Sequence, residues 1–241
     1  MSIHLVGGGV GSAQAAEVYG AFVAECAVRG SRVGRPRPRI AVLGVGFRLG
    51  FRPFAAHIRS AGDADVVLTV VPEGGAFDTT VLSDVDGLVV AGGATPHYLT
   101  AVAPLVDQVR LLVADALPYL GYSAGAMIAA DRALLGGWRI GGVPVCPERA
   151  NEGLDEVVLA EGLGLVDLTI DVHAVQSGTL ARLVAAAEAG FVTAGLAIDE
   201  DTVLIVGEGA LEVRGTGSVW RVVAAEESEG DQFVSVATLG A

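Results

Sequence analysis

Tyr119-Leu120-Gly121-Tyr122-Ser123-Ala124-Gly125-Ala126 is the stretch whose reading decides the fold. Pro118 stops the helical spacing that precedes it, a short strand runs to Gly121, and from Ala124 to Leu135 the pattern becomes helical. Ser123 therefore falls at a junction of strand and helix. Glycines on both sides of it relieve contacts with neighbouring backbone that a side chain would create.

Upstream, short β-branched runs alternate with longer Ala-rich segments, the pattern of strands joined by crossover helices. Strands are expected at Ile3 to Val6, Arg39 to Val45, Val66 to Val71 and Gly87 to Ala91. Helices are expected at Ala13 to Val28, Phe51 to Ala61 and Tyr98 to Ala116, the last from Leu99, Val102, Val106, Val109 and Val113 at spacings of three and four. Near-continuous hydrophobicity in the strands argues for a parallel sheet covered on both faces. Downstream, Leu163 to Ile170 reads as extended, Thr179 to Ala189 as helical, and Gly195 to Val206 as a strand pair or a bent strand. Val203 to Val206, Ala210 to Val213 and Ser218 to Val223 suggest antiparallel strands with glycine turns, and Ala225 to Gln232 a polar segment.

With 241 residues, 52% of them hydrophobic, the chain can bury one sizeable core, so residues 1–241 are expected to form one domain. A formal charge of −13 repels phosphate backbones and argues against a nucleic-acid partner. The run Arg35, Arg37, Arg39 reads as a loop rather than a binding arm. Cys26 and Cys146 sit in unrelated apolar contexts that suggest neither a zinc site nor a disulfide framework, so buried thiols and no metal are expected. No basic segment precedes an apolar run at the N-terminus, and no apolar stretch is long enough to span a bilayer. The reading is a cytoplasmic protein with no membrane partner.

Gly121-Tyr-Ser-Ala-Gly125 matches the Gly-x-Ser-x-Gly turn that lifts a nucleophilic serine above a sheet edge, where the Ala124 amide can face a developing oxyanion. A serine hydroxyl needs a base, and the chain has four histidines. His4 and His57 suit ordinary packed or solvated roles, and His97 in a loop is open as a substrate contact. His173 follows an extended segment and precedes a polar loop, where a strand end would present a base. The orienting acid is open among Glu148, Glu152, Asp155, Glu156, Glu161 and Asp167, with Asp199 and Glu200 beyond them and Asp171 a poorer candidate. Gly92-Gly93 at another strand end could supply a second oxyanion amide, although a tight turn into a helix explains it equally well. Gly7-Gly8-Gly9-Val10-Gly11-Ser12 has serine where the dinucleotide pattern requires its last glycine, so no cofactor is expected.

Together, Gly92-Gly93, Gly121 to Ala126, Gly162-Leu-Gly-Leu165, Asp171-Val-His173 and Gly195 to Glu200 resemble the cyanophycinase and dipeptidase E family of serine peptidases, over about Ile40 to Val206. The resemblance implies a single three-layer α/β domain with a mostly parallel central sheet, class I glutamine amidotransferase-like and flavodoxin-like, with antiparallel C-terminal strands. It implies Ser123 as nucleophile, His173 as base, Gly93 and Ala124 as oxyanion donors, and Glu152 as the acid nearest the expected position. After His173 the chain departs from the cyanophycinase pattern, keeping one arginine, Arg182, where that pattern has several. That puts cyanophycin itself in doubt, while Arg182, with Gly92, is a candidate for binding an acidic side chain or a free carboxylate.

The expected activity is hydrolysis of short peptides or aspartyl-type linkages through an acyl-enzyme. An α/β-hydrolase-type esterase is the enzymatic alternative, disfavoured because no histidine lies near the C-terminus. A non-catalytic amidotransferase-like binding domain is the alternative of another class. The expected partners are a small peptide and, in a homodimer, a second copy of the chain.

Overall fold

A computed structural model describes residues 2–9, 11, 13–226 and 232–239. The elements are β1 (Ile3–Val6), α1 (Ala15–Arg32), β2 (Arg39–Val45), α2 (Arg52–Ser60), β3 (Asp65–Val71), β4 (Gly87–Val90), α3 (Thr95–Val102), α4 (Val106–Ala114), β5 (Tyr119–Tyr122) and α5 (Ala124–Met127). There follow β6 (Arg132–Gly136), β7 (Arg139–Ile140), β8 (Val143–Pro144), β9 (Val158–Glu161), β10 (Thr169–Val172), α6 (Leu180–Glu188), β11 (Ala194–Ile198), β12 (Thr202–Val206), β13 (Glu212–Gly215), β14 (Val219–Glu226) and β15 (Gln232–Leu239).

The fold is α/β, built on a seven-stranded sheet in the order β13-β12-β1-β5-β4-β2-β3. From β1 to β3 every pairing is parallel, and β12 and β13 add an antiparallel edge. Alternate residues of each strand face opposite layers. Leu88 and Val90 of β4 face the core that holds α3 and α4, whereas Val89 faces the one that holds α1 and α2. This double burial is why the strands read as unbroken apolar runs.

A second sheet, β10-β11-β14-β15, shares the α3 and α4 core together with α6. The expected pair Gly195 to Val206 is thus two strands of different sheets: β11 lies beside β10 and β14, and β12 beside β1. The turn between them carries the chain from one sheet to the other.

Two helices differ from expectation. Tyr98 to Ala116 is two pieces, because Pro104 interrupts the hydrogen-bond ladder between α3 and α4. Ala124 to Leu135 is one turn of helix followed by β6. The carbonyls of Ile128, Ala129, Ala130 and Asp131 accept from the amides of Leu163, Leu165, Gly164 and Gly162, so their helical partners are replaced by a neighbouring loop. Burial of the apolar residues Ala126 to Ala130 rewards that choice. Residues 227–231 of the polar segment Ala225 to Gln232, and Val10 and Ser12 of the glycine run, lie outside the described residues.

The arginine run is tied down rather than extended: Arg35 and Arg39 pair with Asp84, Arg35 also with Asp86, and Arg37 with Asp63. Cys26 is buried, whereas Cys146 is only half-buried, and both are free thiols. Among the described residues no helix is long and apolar enough to cross a membrane.

Candidate active site

Three adjacent parallel strands end in glycine-rich turns on the same side: β1 at Gly7-Gly8-Gly9, β5 at Ser123 and β4 at Gly92-Gly93. Carboxyl ends of neighbouring strands in such a sheet are where a crevice forms. Ser123 stands at φ 52° and ψ −111°, a strained turn for a side chain. Its amide donates to the Val6 carbonyl at 2.9 Å, which stitches the turn to β1. The flanking glycines are required sterically, since a Cβ on Gly121 would lie 2.3 Å from the Gly125 carbonyl oxygen and one on Gly125 2.1 Å from that of Val90.

His173 follows the last residue of β10, with φ 56°, and reaches across from the second sheet. Ser123 Oγ lies 2.9 Å from His173 Nε2, and His173 Nδ1 lies 2.7 Å from Glu200 Oε1. A carboxylate can only accept, so Nδ1–H donates to Glu200 and Nε2 is left to accept the Ser123 proton. Glu200 sits in the turn between β11 and β12. The three side chains thus come from the first sheet, the second sheet and the link between them.

The acid at His173 is therefore Glu200 and not Glu152. Glu152 accepts from the Thr95 amide at 3.0 Å instead, and burial pushes its carboxyl above the ordinary range. Among the other acids considered, Asp199 is committed elsewhere: it accepts from the amides of Val175 and Ser218 and from the Trp220 indole at 2.9 to 3.2 Å. Asp155 accepts from the Trp138 indole, Glu156 from the Gly142 amide, and Glu161 pairs with Arg110.

Arg182 is likewise no free cation. Only 1% exposed, it forms a bidentate pair with Asp171, Nε to Oδ2 at 2.9 Å and Nη2 to Oδ1 at 2.7 Å, and donates from Nη1 to the carbonyls of Gly137 and Ala150. Four of its five N–H groups are used inside the protein, and its charge is paired with Asp171, so it is a buried structural cation rather than an open carboxylate site. Arg149 is the exposed cation beside the site. It lines a cavity of about 230 Å³ together with Glu152, His173, Ser177, Arg182 and Glu200. A larger apolar cavity, about 540 Å³, lies between the two sheets and includes none of these residues.

Gly93 is exposed and Ala124 begins α5. Among the described residues neither amide donates to a carbonyl or a side chain. A Cβ on Gly92 would lie 2.8 Å from Ser123 Cβ, which places this turn against the serine. The Gly92 carbonyl accepts from the Tyr98 hydroxyl at 2.9 Å, so Gly92 braces the turn from within.

The remaining histidines lie outside this chain of contacts: His4 is buried against Ser2 and Glu25, and His97 is half-buried with Nδ1 3.8 Å from Glu73.

The first glycine run has a role that its sequence did not suggest. A Cβ on Gly8 would sit 2.1 Å from His173 Cε1, one on Gly9 2.5 Å from Glu200 Oε2, and the His173 amide donates to the Gly7 carbonyl. The run is the floor under the imidazole and its acid. Its position directly after β1 was the available signal, since parallel pairing of β1 with β5 sets that turn beside Ser123.

The model of peptidase family S51 matches residues 63–214, well over half of the chain. Among solved structures, one from Listeria monocytogenes EGD-e, described as a candidate peptidase E, is similar with a TM-score of 0.49 and 12% identity, covering 90% of this chain and 98% of the other. No curated protein sequence matches the chain.

Proposed function

Because the chain belongs to peptidase family S51, we propose that it is a serine peptidase that cleaves short peptides through an acyl-enzyme, with Ser123 as nucleophile, His173 as base and Glu200 as the orienting acid. The observation that carries this reading is the unbroken chain of hydrogen-bond distances from Ser123 Oγ through His173 to Glu200. Ser123 Oγ bonds to the scissile carbonyl carbon while its proton passes to His173 Nε2. Glu200 holds the imidazole in the required tautomer and stabilises the imidazolium. The carbonyl electron pair moves onto oxygen, where the Gly93 and Ala124 amides receive it. Collapse breaks the C–N bond, and His173 returns its proton to the leaving amine. Water then bonds to the acyl carbon as His173 takes its proton, the Ser123 Oγ–acyl bond breaks, and His173 gives that proton back to Ser123 Oγ.

The modest cavity beside His173 suits a few residues rather than a folded substrate. Its exposed cation, Arg149, supports a preference for peptides with an acidic side chain or a free carboxylate near the scissile bond, the role first given to Arg182. Two free thiols support the cytoplasm as its compartment.

The test is labelling of the purified protein with a fluorophosphonate, read by mass spectrometry, followed by profiling on a peptide library. One adduct per chain at Ser123, lost in Ser123→Ala, is the expected result. A folded protein with no adduct would point to a non-catalytic binding domain, and labelling with ester but no peptide turnover to an esterase.

A further inference from the structure

Glu152 adopts a left-handed φ of 56°. A side chain there is costly and persists only where its surroundings over-determine it. Room for it is conceded by Gly136, whose Cβ, if present, would lie 2.4 Å from Glu152 Cβ. In this arrangement Glu152 Oε2 accepts from the Thr95 amide at 3.0 Å.

Thr95 is the fully buried first residue of α3, two residues beyond Gly93. Opening amides of a helix have no acceptor within it and are commonly satisfied by a side chain at the N-cap. Here the N-cap is Ala94, which has nothing to offer, and Pro96 has no N–H. The amides of His97 and Tyr98 turn back to the Ala94 carbonyl, which leaves Thr95 as the amide in need of an outside partner. Glu152 fills the place of the missing cap from a distant loop.

The same turn is held at its other end. Tyr98 Oη donates to the Gly92 carbonyl at 2.9 Å and accepts from the Val45 amide at 3.1 Å. Residues 92–95 are therefore suspended between Tyr98 and Glu152, with the Gly93 amide in the middle.

We propose that Glu152 is a positioning residue: by capping α3 in trans it fixes the turn that aims the Gly93 N–H at the reacting carbonyl oxygen. The inference rests on the reading of Gly93 as an oxyanion donor. It assigns to Glu152 the role of an acceptor, not of a charge that meets the substrate.

Glu152→Met and Glu152→Gln separate these roles, since the two side chains are of similar length and only glutamine retains an acceptor. The reaction to follow is phosphonylation by a fluorophosphonate, in which the Ser123 Oγ–P bond forms, the P–F bond breaks, fluoride leaves and the hydroxyl proton passes to His173. Glu152→Met should label about 10- to 100-fold more slowly, the scale of a displaced oxyanion donor. Glu152→Gln should stay within about threefold of the parent if the acceptor alone matters. Equal large losses in both variants would assign the effect to charge and overturn the proposal, as would no loss in either.

Amide hydrogen exchange gives a readout that does not depend on catalysis. The Thr95 amide should be protected in the unmodified protein and in Glu152→Gln, and unprotected in Glu152→Met; fast exchange at Thr95 in the unmodified protein would overturn the proposal even if Glu152→Met failed to fold. Loss of labelling at Ser123 in every form, with Thr95 still protected, would instead remove the serine mechanism, leaving the contact without its catalytic purpose.

Discussion

In the proposed mechanism Ser123 and His173 pass one proton between them, so their contributions should not add. Ser123→Ala is expected to cut turnover by about 10⁴- to 10⁶-fold, His173→Ala to do nearly as much, and the double variant little more. Independent, additive losses measured on a cleaved peptide would break the assignment. Glu200→Gln, which leaves shape but removes the charge facing Nδ1, should cost about 10³- to 10⁴-fold in kcat, far more than Glu152→Gln. Arg182 belongs to stability: Arg182→Ala leaves Asp171 buried without its partner, and a loss of about 3 to 5 kcal/mol in urea unfolding is expected. Glu152 adds a pH signature of its own. Its carboxyl is raised in the folded protein, so the neutral form is favoured there, and the stability it contributes is present at acid pH and lost as pH rises from the ordinary carboxylate range through the folded value. Urea midpoints of Glu152→Gln should therefore improve on those of the parent toward neutral pH, and an unchanged gap from acid to neutral would contradict the burial argument. The contact between Ser123 and His173 was legible because a glycine-flanked serine after a strand is distinctive and four histidines leave few choices. Glu200 was not, because it lies 27 residues past His173 and returns to it only through the crossing of sheets. Arg182 misled because nothing local announces that Asp171 occupies its guanidinium.

At the level of elements, three glycine turns aligned at the ends of β1, β5 and β4 make the crevice, and each tolerates little. Gly8→Ala is the sharpest probe, as its new methyl would meet the His173 ring and φ is 111°. Such a displacement of the base should lower fluorophosphonate labelling by about 100-fold, with the circular-dichroism spectrum retained; unaltered labelling in the folded variant would mean that the floor under the imidazole is not needed. The strands of the parallel sheet were readable because burial on both faces makes them continuously apolar. Helical spacing was readable too, but its extent was not. Small buried residues such as Ala129 and Ala130 satisfy a helix and a tight turn alike, and here the loop at 162–165 took their carbonyls.

Across the whole molecule, one apolar core touches both sheets, with Leu5, Leu88 and Leu204 from the first and Ile170, Leu196 and Val222 from the second. This supports the reading of a single domain. Far-UV circular dichroism and the fluorescence of Trp138 and Trp220 should then report one coincident urea transition. Separate midpoints would divide the sheets into independent units. The placement of the reacting groups also has a consequence for how the protein comes into being. Glu200 is steadied through its neighbour Asp199, which takes hydrogen bonds from Ser218 and Trp220, so a ribosome-bound chain that has not yet emerged past Trp220 already carries Ser123 and His173 without a settled acid. If Ser123, His173 and Glu200 act as proposed, the reacting groups are complete only once β14 has closed over Asp199.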